Sequence, residues 1–211
     1  MNTHADLDRA IIYAVEHHAG QKRKGTDLPY ILHPLETMEI LASMGADTGL
    51  LMAGVLHDTV EDTAATLEEL TELFGSDVSS LVGHHSEDKS KSWTERKISA
   101  IAALHDADKR LKMLVMADKV SNLRSTAADF RAMGDRVWER FNAPKERQRW
   151  YYGGMVKALS DMQNYPDTAA VYQEMTALYD GIYPPAENAD GEYRLYGSRN
   201  RALSLTLRDG K

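Results

Sequence analysis

Seven consecutive apolar residues, Leu50-Leu51-Met52-Ala53-Gly54-Val55-Leu56, run straight into His57-Asp58-Thr59-Val60-Glu61-Asp62. As a helix, the first run is apolar nearly all round, so other elements must cover it on most sides. The rest of the chain offers helices to do so. Asp6 to His18 carries Leu7, Ile11, Ala14, Val15 and His18 near the spacing of one helix face. A helix is expected after Pro34, which suits a first turn, continuing to about Met44 and stopping at Gly45. Asp47 or Thr48 can cap the apolar helix, and Thr66 with Glu69 reads as a capping box for a helix ending near Gly75. Asp77 opens another stretch, and helical patterns follow at 94–104, 110–123, 135–141, 145–159 and 168–178.

Strand signals are confined to the tail, where Leu203, Leu205 and Leu207 alternate with polar residues after a linker-like Pro184-Pro185. The expectation is therefore an all-α, single-domain helical bundle over 1–183. Residues 184–211 form a C-terminal tail, extended or with a short β segment.

Composition narrows the chemistry. The chain has 211 residues, enough for one full core. It contains no cysteine, which excludes disulfides, thiolate metal sites and cysteine nucleophiles. A net charge of −7 argues against a nucleic-acid partner. A small anionic substrate is still compatible with it, provided a few basic residues converge or a metal helps. No basic leader with an apolar run opens the chain, and no apolar segment is long enough for a membrane span. A cytoplasmic location without membrane contact is expected by elimination, and the oligomeric state is left open.

The run 57–62 holds four ionisable groups directly after the most apolar helix. On one continuous helix His57 and Glu61 would sit a turn apart, as would Asp58 and Asp62. Carboxylates so close resist ionising together unless a cation lies among them. Two further positions fit the same site. His33 stands beside Pro34, and Asp118 follows the apolar run 113–117, with Asn122 and Ser125 on its helical face. His33, His57, Asp58 and Asp118 form a mixed nitrogen and oxygen ligand set that suits Mn²⁺, and less exclusively iron or zinc. Glu61 and Asp62 are then available to position or deprotonate a water. Each of these residues taken alone is more often a core or surface group; the joint pattern is what points to a shared cation.

That pattern resembles the HD superfamily and, through Glu61-Asp62, the hydrolase domain of RelA/SpoT-type proteins and their stand-alone, Mesh1-like forms, the small alarmone hydrolases. The likeness runs from about Ile11 to Leu159. It rests on Arg23-Lys24, Pro29-Tyr30-Ile31-x-His33-Pro34, His57-Asp58-x-x-Glu61-Asp62, Phe74-Gly75, Glu87-Asp88-Lys89-Ser90 and Ala117-Asp118-Lys119-x-x-Asn122-Leu123-Arg124. The resemblance implies one Mn²⁺ on His33, His57, Asp58 and Asp118, with Glu61 and Asp62 serving the attacking water. It implies Arg23 stacking on a guanine and Lys24 near phosphate. It further implies Lys89 and Arg147 on the phosphate side, Tyr151 near the nucleoside, and Asn122 and Ser125 at sugar or base. His84-His85 departs from the pattern and is read as structural or surface, because neighbouring helical residues diverge by about 100°. Among the aromatic residues of 138–152, all but Tyr151 are read as packing.

The implied reaction is hydrolysis of the 3′-pyrophosphate of ppGpp or pppGpp to GDP or GTP and pyrophosphate, lowering the alarmone level in the stringent response. The alternatives are another nucleotide, NADPH cleaved at its 2′-phosphate or an adenosine-type alarmone, and a module that binds alarmone without turning it over.

Overall fold

A computed structural model describes residues 3–86 and 88–184 of the chain. Among the described residues the regular structure is helical, with one isolated bridge, Lys22 to Pro29, as the only β pairing. This is the all-α architecture that the periodicity implied. The tail with its alternating leucines lies outside the described residues.

The apolar run forms α3 (Thr48–Leu56), and the Asp47 carboxylate caps it by accepting from the Leu50 N–H at 2.9 Å. Four helices cover it: α1 (His4–His17), α2 (Leu32–Ser43), α6 (Ser76–His85) and α8 (Lys109–Met133). Gly54 is what lets α2 come close. A Cβ there would stand 2.5 Å from Leu41 Cδ1, nearer than any side chain tolerates. Between α3 and α6 run α4 (Thr59–Asp62) and α5 (Leu67–Phe74). Thr66 caps α5 by accepting from the Glu69 N–H, and Gly75, at φ 89°, makes the turn into α6.

The second half packs around α8. α10 (Ala169–Ile182) lies against it, while α7 (Trp93–Ala103) packs on α9 (Lys145–Ala158). α7 opens with a full capping box, Ser92 with Glu95.

The structure differs from the periodicity in four places. α2 begins before Pro34 and holds it, with His33, in its first turn, where proline lacks nothing the helix needs. α8 runs ten residues beyond Leu123, to Met133, because contact with α10 supports a stretch whose own apolar pattern is thin. Residues 134–140 form a tighter 3₁₀ helix. Lastly, no single helix carries residues 57 to 62. His57 ends α3 and Asp58 precedes α4. The His57 ring donates from Nδ1 to the Gly54 carbonyl at 2.8 Å and the Thr59 hydroxyl donates to the Leu56 carbonyl at 2.7 Å. Side chains thus occupy carbonyls that a continuing helix would use.

No helix among the described residues is long and apolar enough to cross a membrane.

Candidate metal centre

His33, His57, Asp58 and Asp118 converge although they come from the first turn of α2, the end of α3, the α3–α4 turn and the middle of α8. His33 Nε2 lies 3.2 Å from Asp118 Oδ1 and 3.5 Å from Asp58 Oδ2. His57 Nε2 lies 3.0 Å from Asp58 Oδ2 and 3.9 Å from Asp118 Oδ1. Both rings are buried, and so is Asp118.

The tautomers follow from the partners of the other ring nitrogens. The Gly54 carbonyl can only accept, so His57 carries its proton on Nδ1. His33 Nδ1 lies 2.7 Å from the Ser121 hydroxyl, whose one proton goes to the Glu36 carboxylate at 2.7 Å. The hydroxyl oxygen therefore accepts from His33, which is protonated on Nδ1 as well. Glu36 is held in turn by Arg124, which also makes a two-pronged contact with Glu174. A chain of hydrogen bonds from α10 thus fixes the His33 ring.

In the neutral imidazoles, Nε2 of both rings then presents a lone pair toward carboxylate oxygens. His57 Nε2 is buried and makes no hydrogen bond. Such an arrangement is repulsive unless protons or a cation intervene. Without a cation, burial pushes the His57 imidazolium down, but Asp58 and then Asp118 outweigh it and carry its pKa to about 9. For His33 burial wins and its pKa falls. Burial pushes both carboxyls up, yet His57 beside Asp58 and Lys119 beside Asp118 hold them below the ordinary range. Two buried anions facing two imidazole nitrogens are a donor set that fits a divalent cation.

The cluster opens into a cavity of about 300 Å³. Arg23, Lys24, Lys97, Lys119 and Arg140 bring positive charge to its wall, Arg140 paired there with Asp129 at 2.6 Å, and Asn122, Ser125, Phe141 and Tyr152 share it. The Lys22–Pro29 bridge closes the loop that carries Arg23 and Lys24. Arg23 donates to the Asn122 side-chain Oδ1 at 3.4 Å, and the Asn122 Nδ2 donates to Asp118 Oδ1 at 2.5 Å. Lys119 donates to Asp118 Oδ2 at 2.6 Å, so its ammonium sits beside the cluster.

Glu61 lines the cavity; Asp62 does not and is more exposed. Lys89 bridges them, donating to Asp62 Oδ1 at 3.0 Å and to the Glu61 carbonyl. Tyr30 donates to Asp58 Oδ2 at 2.5 Å, and burial and that carboxylate push its phenol far up, which keeps the donor proton in place.

Three expected substrate contacts fall elsewhere than the cavity wall. Arg147 is exposed on α9, one position off the buried stripe Gln148, Tyr151, Tyr152, Met155. Tyr151 lies beneath the wall, packed on Trp93 and Tyr152, with the Lys97 ammonium 4.7 Å above its ring. Lys89 contacts Glu61 and Asp62 and does not line the cavity. Tyr152 and Phe141, read as packing, supply aromatic wall instead.

The two residues of the histidine pair lie in different surroundings. His84 is exposed, but the His85 side chain is only 8% exposed and its Nε2 lies 3.2 Å from Asp118 Oδ2. The signal was present in the sequence: Val78, Leu81 and Val82 are the buried face of α6, and residue 85 continues that face by period. Lys97 and Arg140 carried no such signal, since each is a lone charge on a helix whose orientation only packing decides.

Comparison with known proteins identifies the family and the fold. An HD domain family model matches residues 10–143. A guanosine-3′,5′-bis(diphosphate) 3′-pyrophosphohydrolase of Xenopus tropicalis is 41% identical over 115 residues, 53% of this chain and 64% of that protein. A GTP pyrophosphokinase of Myxococcus xanthus is 39% identical over 132 residues, 57% of this chain but 17% of that protein. The chain thus spans well under a fifth of the latter and just under two thirds of the former. Among solved structures, a metazoan SpoT orthologue described as hydrolysing ppGpp superposes with a TM-score of 0.69 at 30% identity, over 85% of this chain and 96% of that one. A Listeria monocytogenes protein superposes with a TM-score of 0.64 at 32% identity, over 72% and 98%.

Proposed function

The chain belongs to the HD domain family, and from that premise we propose that it hydrolyses the 3′-pyrophosphate of ppGpp or pppGpp, releasing pyrophosphate and GDP or GTP. The observation that carries the reading is the pair of imidazole lone pairs facing Asp58 and Asp118 beside a cavity to which five basic residues contribute. The Xenopus and metazoan relatives, whose descriptions name ppGpp chemistry, support the choice of substrate. The proposal covers 1–183 as one hydrolase domain, supported by the packing of α10 and Tyr183 into the common core. It also keeps the cytoplasmic location expected from the sequence.

In this reading His33, His57, Asp58 and Asp118 hold the divalent ion, and we assign Mn²⁺ on their mixed nitrogen and oxygen character. The ion supplies Lewis acidity toward a phosphoryl oxygen and toward water. Glu61 and Asp62 orient the attacking water and take its proton, with Lys89 fixing both by its contacts with them. As the water oxygen bonds to phosphorus, the bond from phosphorus to the ribose 3′ oxygen breaks and the nucleotide leaves. Lys24, Lys97, Lys119 and Arg140 offset the charge of the polyphosphate, which explains how a protein of net charge −7 takes a polyanion. Arg23 and Asn122, already in contact, would meet the nucleoside. Arg147 and Tyr151 keep at most a secondary part, Arg147 reaching from outside and Tyr151 supporting Tyr152.

The test is pyrophosphate release from ppGpp by chelator-stripped protein, with and without Mn²⁺, beside Asp58→Ala. Manganese-dependent release that the variant lacks is the expected result. Folded protein that releases nothing with any divalent metal would overturn the proposal. Phosphate release from NADPH, or turnover of adenosine alarmones in preference to ppGpp, would redirect it to another nucleotide.

A further inference from the structure

Three imidazoles, not two, surround the aspartate pair. His85 Nε2 stands 3.2 Å from Asp118 Oδ2, as His33 Nε2 stands 3.2 Å from Asp118 Oδ1. The His57 ring has His33 on one contact and His85 on another, each with ring centres 5.0 Å away and nearly perpendicular. Ligand atoms of His33, His57 and Asp58 all lie within 4.8 Å of one another, and so do those of His57, His85 and Asp118. His57 belongs to both groups, so they form one contiguous cluster.

A histidine buried for structural reasons normally satisfies both ring nitrogens. His85 Nδ1 is buried and has no hydrogen-bond partner among the described residues. Its other nitrogen meets only the carboxylate that already faces His33 and His57. Nor is His85 required as the counter-ion of Asp118, because Lys119 holds that place at 2.6 Å. With its proton on the partnerless Nδ1, the ring turns the Nε2 lone pair on the same carboxylate that His33 and His57 face; with it on Nε2, that nitrogen only adds one more hydrogen bond to an anion Lys119 already serves.

We propose that His85 is a third imidazole ligand of a single metal centre formed with His33, His57, Asp58 and Asp118. This rests on the reading of that cluster as a divalent-cation site. A five-residue set holds the ion more tightly than four and leaves fewer positions for water and substrate. The added nitrogen moves its preference toward metals that bind imidazole strongly.

The experiment uses the full chain, stripped with chelator and reloaded with Mn²⁺. Electron spin-echo modulation of the bound Mn²⁺ counts coordinated imidazole nitrogens, and chelator competition gives the affinity. Three nitrogens are expected in the wild type and two in His85→Val, with affinity lowered about tenfold or more. His84→Ala, an exposed neighbour, is expected to keep the wild-type count and affinity. Two nitrogens in the wild type, or affinity within twofold after His85→Val, would overturn the assignment while leaving the metal site itself intact. Absence of any Mn²⁺ binding to folded wild type overturns both. If His85→Val does not fold, the wild-type nitrogen count and the affinity of His85→Gln decide.

Discussion

α3, α6 and α8 are tied together twice. At their beginnings, Arg110 of α8 bridges Asp47, which caps α3, and Asp77 in the first turn of α6. Eight to ten residues on, about 12–15 Å along helices that rise 1.5 Å per residue, His57, His85 and Asp118 meet at the other end. Both ties gather ionisable groups from the same three helices. The first is half exposed and paired charge to charge: the guanidinium donates from its two terminal nitrogens to three carboxylate oxygens at 2.7–3.1 Å, and only its buried Nε lacks a partner. The second is buried and incomplete, with imidazole nitrogens that face anions and lack hydrogen bonds. A satisfied ion pair at the surface adds little and asks for nothing more. An unsatisfied buried group is costly, and persists where something else completes it.

The largest break in that comparison is removal of the carboxylate that faces all three imidazoles of the buried tie. Asp118→Ala is expected to reduce Mn²⁺ affinity and ppGpp turnover by well over about a hundredfold, more than loss of an outer contact costs. Chelator competition and pyrophosphate release measure the two losses, and near-normal affinity would show that Asp118 is no ligand. Next comes the hydrogen bond that orients His33. Ser121→Ala leaves the His33 Nδ1 proton and Glu36 without their shared partner. Metal affinity is expected to fall about 10–100-fold, with little change in the circular dichroism of the folded protein. An unchanged affinity would mean that the ring needs no such support.

Completing the buried tie gives a third contrast. Mn²⁺ at a hundred times its dissociation constant is expected to stabilise the protein by about 2.7 kcal/mol, raising Tm by roughly 5–10 °C for a domain of this size. Asp58→Ala should lose most of that shift, as read by calorimetry with and without the metal. An equal shift in the variant would place the stabilising ion elsewhere.

The two ties also differ in how far the sequence disclosed them. His57-Asp58 and Glu61-Asp62 stand out because they end a run that must be buried, and His33 because it stands beside Pro34. Burial of polar groups is itself the signal there. His85 announced itself only through the phase of α6, which becomes visible once Val78, Leu81 and Val82 are recognised as the inward face. Arg147 and Tyr151 show the limit of that logic. Both lie on α9, and a rotation of about 100° per residue decides whether position 147, 148, 151 or 152 meets the cavity. That rotation is set by packing against α7 and α10, contacts between distant segments that no local pattern encodes. Arg110 belongs to the same class: its two partners lie 33 and 63 residues away.

The smallest effect is expected at that exposed tie. Arg110→Ala removes three hydrogen bonds, yet its carboxylate partners are more than half exposed and water replaces what they lose. The cost at neutral pH is expected to be about 1 kcal/mol or less, a Tm shift of a few degrees, with metal affinity unchanged. The pH dependence carries a definite sign. Hydrogen bonds from Arg110 hold the Asp77 carboxyl below its ordinary range. A carboxyl whose folded pKa is depressed contributes stability that is present above its unfolded value, about 3.9, and is lost as pH falls through the folded value. The Tm difference between wild type and Arg110→Ala should therefore be level from pH 7 to about 5 and shrink below about 4. Added salt at pH 7 should shrink it as well, since exposed charges are screened. A difference that instead survives both acid and salt would mean that the guanidinium acts through packing of its stem, and a metal affinity that moves with it would mean that the two ends of the three helices are coupled.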